Sequence, residues 1–303
     1  MDIYLPIAEM SVNLFLVLGL GGAIGFLSGV FGVGGGFLLT PLLIFIGVPP
    51  AVAVATGASQ VMSSSVSGVL TQIRRKGVDL RMGLVLVAGG TVGATLGVWL
   101  FSWLRARGQV DLVVSLSYVL LLGTVGGLMF AESLGAWIRT TRRPSSRRGR
   151  LHQHYWLHGL PLKMRFPDSR LYISALVPLG VGVAVGLMTA ILGIGGGFIM
   201  IPAMIYLIGM PSGVVVGTSL FQICFVSGLS TFLHAYNNQT VDIVLALLLI
   251  AGGVVGAQFG TRAGAYLRGE QLRVLLALIV LVVCGRLAWD LIATPTDLYS
   301  LAG

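Results

Sequence analysis

Long apolar runs separated by short polar breaks make up most of this chain, at about residues 12–31, 34–48, 50–73, 82–104, 110–130, 172–192, 195–209, 211–234, 241–264 and 271–293. Most reach the roughly 20 residues a helix needs to cross a hydrocarbon core. The runs at 34–48 and 195–209 are shorter and are expected to be either tilted short spans or half-helices at membrane depth. Both options put irregular backbone inside a membrane, which is tolerated only where protein buries it or a cavity hydrates it.

The pattern occurs twice. Gly32-Val33-Gly34-Gly35-Gly36-Phe37 followed by Pro41 returns as Gly193-Ile194-Gly195-Gly196-Gly197-Phe198 followed by Pro202, an offset of 161. Thr56 and Gln60 return as Thr218 and Gln222, and Val78-Asp79, Gly89-Gly90, Gly93-Ala94 and Gly97 as Val241-Asp242, Gly252-Gly253, Gly256-Ala257 and Gly260. This predicts a first transmembrane repeat over 1–130, a linker over 131–171 belonging to neither half, and a second repeat over 172–303. The expected fold is an all-α polytopic membrane protein. Its two repeats, of about five helical segments each, contain an odd number of crossings and are therefore inverted, with glycine-broken helices at the midplane.

Composition and charge sharpen this picture. The chain is 56% hydrophobic and 10% charged, with a mean hydropathy of +0.95. The net charge of +9 is concentrated between Arg139 and Arg170, so it reads as a cytoplasmic loop obeying the positive-inside rule and not as a nucleic-acid-binding face. With that loop inside, Arg74-Arg75-Lys76 and Arg262, Arg268 and Arg273 also fall inside. The loop 235–240 and both termini fall outside, and Arg105 and Arg107 are the exception. No basic residue precedes the first apolar run, which is expected to be retained as a transmembrane helix.

The glycine clusters are the leading candidate for chemistry. Three glycines in a row free backbone N–H groups where Phe37 and Phe198 open new helices, and such N–H groups cradle anions without a buried cation. Packing explains glycines spaced once per turn, such as Gly89/Gly93/Gly97 and Gly252/Gly256/Gly260, better than it explains three consecutive ones. The candidate substrate-binding set is Gly34, Gly35, Gly36, Phe37, Thr56 and Gln60 with Gly195, Gly196, Gly197, Phe198, Thr218 and Gln222. For Thr56, Gln60, Thr218 and Gln222 two readings stand: hydrogen bonding to an oxyanion, or bridging between helices.

The remaining polar residues narrow the function. All ten carboxylates fall near run ends or in loops, which argues against a mid-membrane proton relay or cation site. Asp79 and Asp242 are expected to be helix N-caps. His152, His154 and His158 lie in the basic loop without cysteine or carboxylate partners, and His234 is expected to be a polar cap at the outer interface. Neither glycine cluster is followed by the Lys-Ser/Thr of a phosphate-binding loop. Cys224 and Cys284 lie inside apolar runs as small buried hydrophobes. No metal, cofactor or catalytic group is called for.

The repeated G-x-G-G-G-F followed by proline, the Thr/Ser/Gln-bearing segments after Pro50 and Pro211, and the repeated Val-Asp then Gly-Gly-x-x-Gly-Ala together resemble the sulfite exporter TauE/SafE family over nearly the whole chain except the linker. The resemblance implies a multi-pass inner-membrane secondary transporter, an exporter, for a small sulfur-containing anion such as sulfite, sulfoacetate or another organosulfonate. Its expected partners are that anion, membrane lipids and a coupling ion, H+ or Na+, with no nucleic acid. An anion channel or a non-catalytic membrane scaffold is the alternative. A membrane enzyme would need acid, base, nucleophile or metal groups gathered at one depth, and the scattered carboxylates and loop histidines do not supply them.

Overall fold

The computed structural model describes residues 2–31, 35–140, 162–169, 171–264 and 269–293. A hairpin of β1 (Asp2–Leu5) and β2 (Met10–Asn13) leads into α1 (Leu14–Phe31), α2 (Gly36–Phe45), α3 (Pro50–Arg74), α4 (Leu80–Ala106) and α5 (Val110–Thr140). A second hairpin of β3 (Lys163–Phe166) and β4 (Leu171–Ser174) leads into α6 (Leu176–Leu192) and α7 (Gly197–Pro202), which continues as a π-helical stretch, Ala203–Ile208. Then come α8 (Ser212–Leu233) with its π-helical extension His234–Asn238, α9 (Ile243–Gly264) and α10 (Gly269–Ile292).

The all-α expectation is therefore corrected to a mostly helical fold with two short antiparallel hairpins. Pro6 and Pro167 fall in the two hairpin turns, and proline ends regular structure because it lacks an N–H donor. The registers match: Leu5 pairs with Met10, and Phe166 with Leu171. Hairpins and helices thus share the 161-residue offset, which begins at Asp2 and Lys163. The segment 131–171, read as a linker outside both halves, carries the end of α5 and the strand that opens the second half.

Among the described residues, five helical spans are long and apolar enough to cross a membrane: Leu80–Ala106, Val110–Leu128, Gly213–Asn238, Ile243–Gly260 and Leu275–Ile292. Large apolar side chains cover their outer surfaces, including Leu112, Leu116 and Leu120 on α5 and Val282 and Trp289 on α10. In water such a surface would be a liability, whereas lipid tails solvate it.

The main neighbour of a helix usually belongs to the other half: α1 packs along α9, α6 along α4, α3 against α8, and α5 against α10. Glycine makes two of these contacts possible. A Cβ at Gly93 would lie 2.0 Å from the Val183 carbonyl oxygen on α6, and one at Gly256 would lie 1.9 Å from that of Gly22 on α1.

Polar groups join the halves at the starts of α4 and α9. Asp79 caps α4 by accepting from the Met82 N–H at 3.0 Å, and Asp242 caps α9 by accepting from the Leu245 N–H at 3.0 Å. The backbone N–H of each aspartate donates to a threonine of the opposite half, Asp79 to Thr218 Oγ1 at 3.0 Å and Asp242 to Thr56 Oγ1 at 3.1 Å. The other carboxylate oxygen takes a hairpin turn. Asp79 Oδ2 accepts from the Ser169 N–H at 3.0 Å and its hydroxyl at 2.5 Å, and Asp242 Oδ2 accepts from the Ile7 N–H at 3.0 Å. Each hairpin also inserts one fully buried side chain, Leu5 or Phe166, into the adjoining core.

One face of the bundle thus carries the β1–β2 turn, the α4–α5 turn and the start of α9, around a cleft lined by Ile7, Glu9, Arg105, Gln239 and Thr240. The β3–β4 turn and the starts of α4 and α8 form a second group, with the Gly77 backbone against Gly217 and Gly213. These are the two loop sets that the charge pattern assigns to opposite sides. Arg105, the exception to that pattern, donates to the Asn238 carbonyl, while Arg107 lies 3.7 Å over the Trp103 ring.

Two stability predictions follow from these contacts. Gly256→Ala is expected to lower the melting temperature of detergent-solubilised protein, since overpacking against backbone costs about 1–3 kcal/mol. Gly285→Ala, which meets nothing within 4 Å, is expected to leave it unchanged or raise it. Thr218→Val, which leaves the buried Asp79 N–H unpaired, is expected to cost about 1–3 kcal/mol, and Thr218→Ser much less in the same melt.

Candidate functional site

The glycine clusters lie next to each other in the interior. Gly34 lies outside the described residues. Gly35, with Gly36 and Phe37, starts α2, and its carbonyl accepts the N–H groups of Leu38 and Leu39, both at 3.2 Å. In the second half α6 ends at Gly193, whose left-handed conformation (φ 68°) returns its N–H to the Thr189 carbonyl at 2.8 Å. Gly195 and Gly196 are also left-handed, at φ 67° and 77°, and Gly197 then opens α7. The rings of Phe37 and Phe198 stack with centroids 4.4 Å apart and planes 14° apart, so the two breaks meet through their matched aromatics.

Packing against the breaks is tight. A Cβ at Gly36 would lie 2.2 Å from Val61 Cγ2, and one at Gly195 would lie 2.1 Å from Val61 Cγ1, so this valine of α3 wedges between the two clusters. The backbone of Gly35 abuts Ile24 and that of Gly196 abuts Val185, residues again related by the offset of 161. The Leu192 carbonyl at the end of α6 accepts from Tyr118 and, at 3.4 Å, from Thr40.

The four repeat-matched polar residues divide into two kinds. Thr56 and Thr218 already have partners in the Asp242 and Asp79 N–H groups, and Thr218 also donates to the Val214 carbonyl at 2.7 Å. Their geometry is that of bridges between the halves.

Gln60 and Gln222 differ. Both are buried, at 2% and 0% exposure, and among the described residues Gln60 Oε1 and both amide atoms of Gln222 have no hydrogen-bond partner. Each amide lies against a glycine of the opposite half: the Gly253 Cβ position is 2.8 Å from Gln60 Nε2, and the Gly90 Cβ position is 2.9 Å from Gln222 Nε2. Ser65, Ser227 and Ser230 are buried with unpartnered hydroxyls on the same two helices. Unsatisfied buried amides are costly, each losing about 1–3 kcal/mol of solvation. Those of α3 and α8 are the part of the candidate set that the protein leaves without a partner.

His234, expected as a polar cap, does sit at the C-terminal end of α8. It is buried, edge-on to Phe101 at 4.7 Å, with Nε2 at 2.8 Å from the Ala190 carbonyl and Nδ1 at 3.2 Å from Asn238 Nδ2. Since a carbonyl only accepts, Nε2 carries the proton and Nδ1 accepts from the Asn238 amide. Ser102 donates to Asn238 Oδ1 at 2.8 Å, extending the network to the cleft. The π-helical register of His234–Asn238 was not legible in the sequence. The hairpins left one trace there, Leu5-Pro6 and Phe166-Pro167 at the common offset, too short to predict strands.

Comparison with known proteins finds relatives over most of the chain. The family described as "Sulfite exporter TauE/SafE" matches residues 17–287. A "Probable membrane transporter protein" of Xylella fastidiosa (strain 9a5c) is 29% identical over 91% of this chain and 95% of its own length. The "Probable membrane transporter protein YunE" of Bacillus subtilis (strain 168) is 26% identical over 93% and 98%. The "Sulfite exporter TauE/SafE family protein 3" of Arabidopsis thaliana shares 33% identity over 30% of this chain and 19% of its own. No solved structure matches. With the family matching nearly end to end and five spans fit to cross a bilayer, the chain is a multi-pass membrane transporter protein that belongs to the sulfite exporter TauE/SafE family.

Proposed function

We propose that this protein is a secondary transporter that exports a small sulfur-containing oxyanion, of the sulfite or organosulfonate class, across the inner membrane. Among the described residues, the buried, unpartnered Nε2 of Gln222 carries this reading, with the amide of Gln60 as its repeat-matched counterpart. An amide N–H donates to an oxyanion without bringing a charge of its own into the bilayer. In the proposed mechanism the two halves are inverted repeats whose glycine breaks meet near the midplane. Gly35, Gly36 and Phe37, with Gly195, Gly196, Gly197 and Phe198, form the floor on which the substrate sits, and the amide N–H groups of Gln60 and Gln222 donate to its oxygens. Thr56 and Thr218 keep the flanking helices in register.

Movement of one half against the other then exposes the site to each side in turn. H+ or Na+ drives the cycle. A hairpin packed into each end of the bundle favours a carrier over a continuously open channel. The cleft of about 560 Å³ beside the β1–β2 turn, lined by Arg105 and Thr240 among others, serves as a vestibule. Family membership and the name of the Arabidopsis relative support the sulfur oxyanion class.

Gln60→Met and Gln222→Met test the reading. Methionine keeps the length and apolar stem of glutamine while deleting the unsatisfied amide, a change expected to be neutral or stabilising for the fold. The expected outcome is an unchanged or higher melting temperature together with at least about a tenfold loss of sulfite flux in proteoliposomes, the loss of one or more charge-assisted hydrogen bonds. Wild-type flux in both folded variants would overturn the assignment of the site.

A further inference from the structure

We propose that the two hairpins are the gates of the transporter, latched by Asp242 on one face and by Asp79 on the other, and that the two latches differ in strength by one hydrogen bond. This rests on the alternating-access reading above.

Each hairpin is a plug seated between elements of both halves. Leu5, Ala8 and Val12 of the first pack with Leu39 and Leu43 of α2, Val52 of α3, and Leu245 and Leu249 of α9. Phe166 of the second packs with Met200 of α7, Met204 and Ile208 of its π-helical continuation, Val215 of α8, and Met82 and Leu86 of α4. A plug touching both halves cannot stay seated when one half moves against the other, so the plug contacts must break in turn as access alternates.

The polar part of each contact is concentrated on one buried carboxylate that belongs to the opposite half from the plug. Among the described residues, Asp242 Oδ2 accepts the Ile7 N–H alone. Asp79 Oδ2 accepts both the N–H and the hydroxyl of Ser169. At the 161-residue offset Ser169 corresponds to Ala8, which has no hydroxyl to offer. The β1–β2 plug is therefore the one that releases more readily, and the face with the Arg105 cleft is the one that opens first.

Exchanging the two side chains tests this directly. Backbone hydrogen exchange would be followed by mass spectrometry on the full chain in nanodiscs, without substrate, for wild type, Ser169→Ala and Ala8→Ser. Ser169→Ala is expected to speed exchange of residues 163–174 by about tenfold and to slow that of residues 2–13, because a face that opens forces the other to close. Ala8→Ser, which places a hydroxyl at the position matched to Ser169, is expected to slow exchange over 2–13 and speed it over 163–174. Opposite changes at the two hairpins in both variants support coupled gates. A change confined to the substituted hairpin, or none, overturns the proposal and leaves the hairpins as static anchors. Since no substrate is present, this result is separate from any failure of the flux measurements.

Discussion

Asp79 and Asp242 are buried carboxylates at the starts of α4 and α9, and much of the architecture is arranged to keep them satisfied. An ion removed from water costs several kcal/mol unless donors replace its hydration. Here the replacements come from two directions, the helix that the aspartate caps and the hairpin of the opposite half, while a threonine of the opposite half accepts the aspartate's backbone N–H. Neither half can complete this arrangement alone. The two halves are consequently interleaved, with α1 on α9 and α6 on α4, and the glycine stripes Gly89/Gly93/Gly97 and Gly252/Gly256/Gly260 permit the close backbone approach that interleaving demands.

That dependence explains which features could be read in the sequence and which could not. Apolar run length and glycine spacing are local and one-dimensional, so the helices and the packing stripes were legible, as were the capping roles of Asp79 and Asp242. The hairpins escaped because four-residue strands carry little apolar signal, although Pro6 and Pro167 recur at the same offset as the glycines. Thr56 and Thr218 were candidates for substrate contact because both are polar and repeat-matched. Their partners, 186 and 139 residues away, exist only after the halves interlock. The burial of His234 was hidden for a similar reason: its neighbours Ala190, Phe101 and Asn238 come from three helical segments.

The glycine triplets look different in three dimensions than in one. At Gly195 and Gly196 the left-handed backbone demands glycine, while at Gly35 and Gly36 the pressure comes from Ile24, Val61 and the Ile194 carbonyl. Conformation and crowding account for these glycines before any ligand is considered. What crowding does not account for is a pair of glutamines, each set against a glycine of the other half with amide atoms unpaired. Buried polar groups of that kind lower stability unless a water, an ion or a ligand completes them. The site proposed for the anion therefore rests on α3 and α8, with the glycine breaks shaping the space around it.

The most direct test of the central claim is uptake of labelled sulfite by proteoliposomes containing the wild-type protein, measured as counterflow against internal unlabelled sulfite, sulfoacetate, thiosulfate or sulfate. A carrier with one alternately exposed anion site predicts saturable uptake that is accelerated by internal substrate of the matching class. Uptake that rises linearly with concentration and ignores the internal anion, or no uptake by folded protein for any of the four, would contradict it.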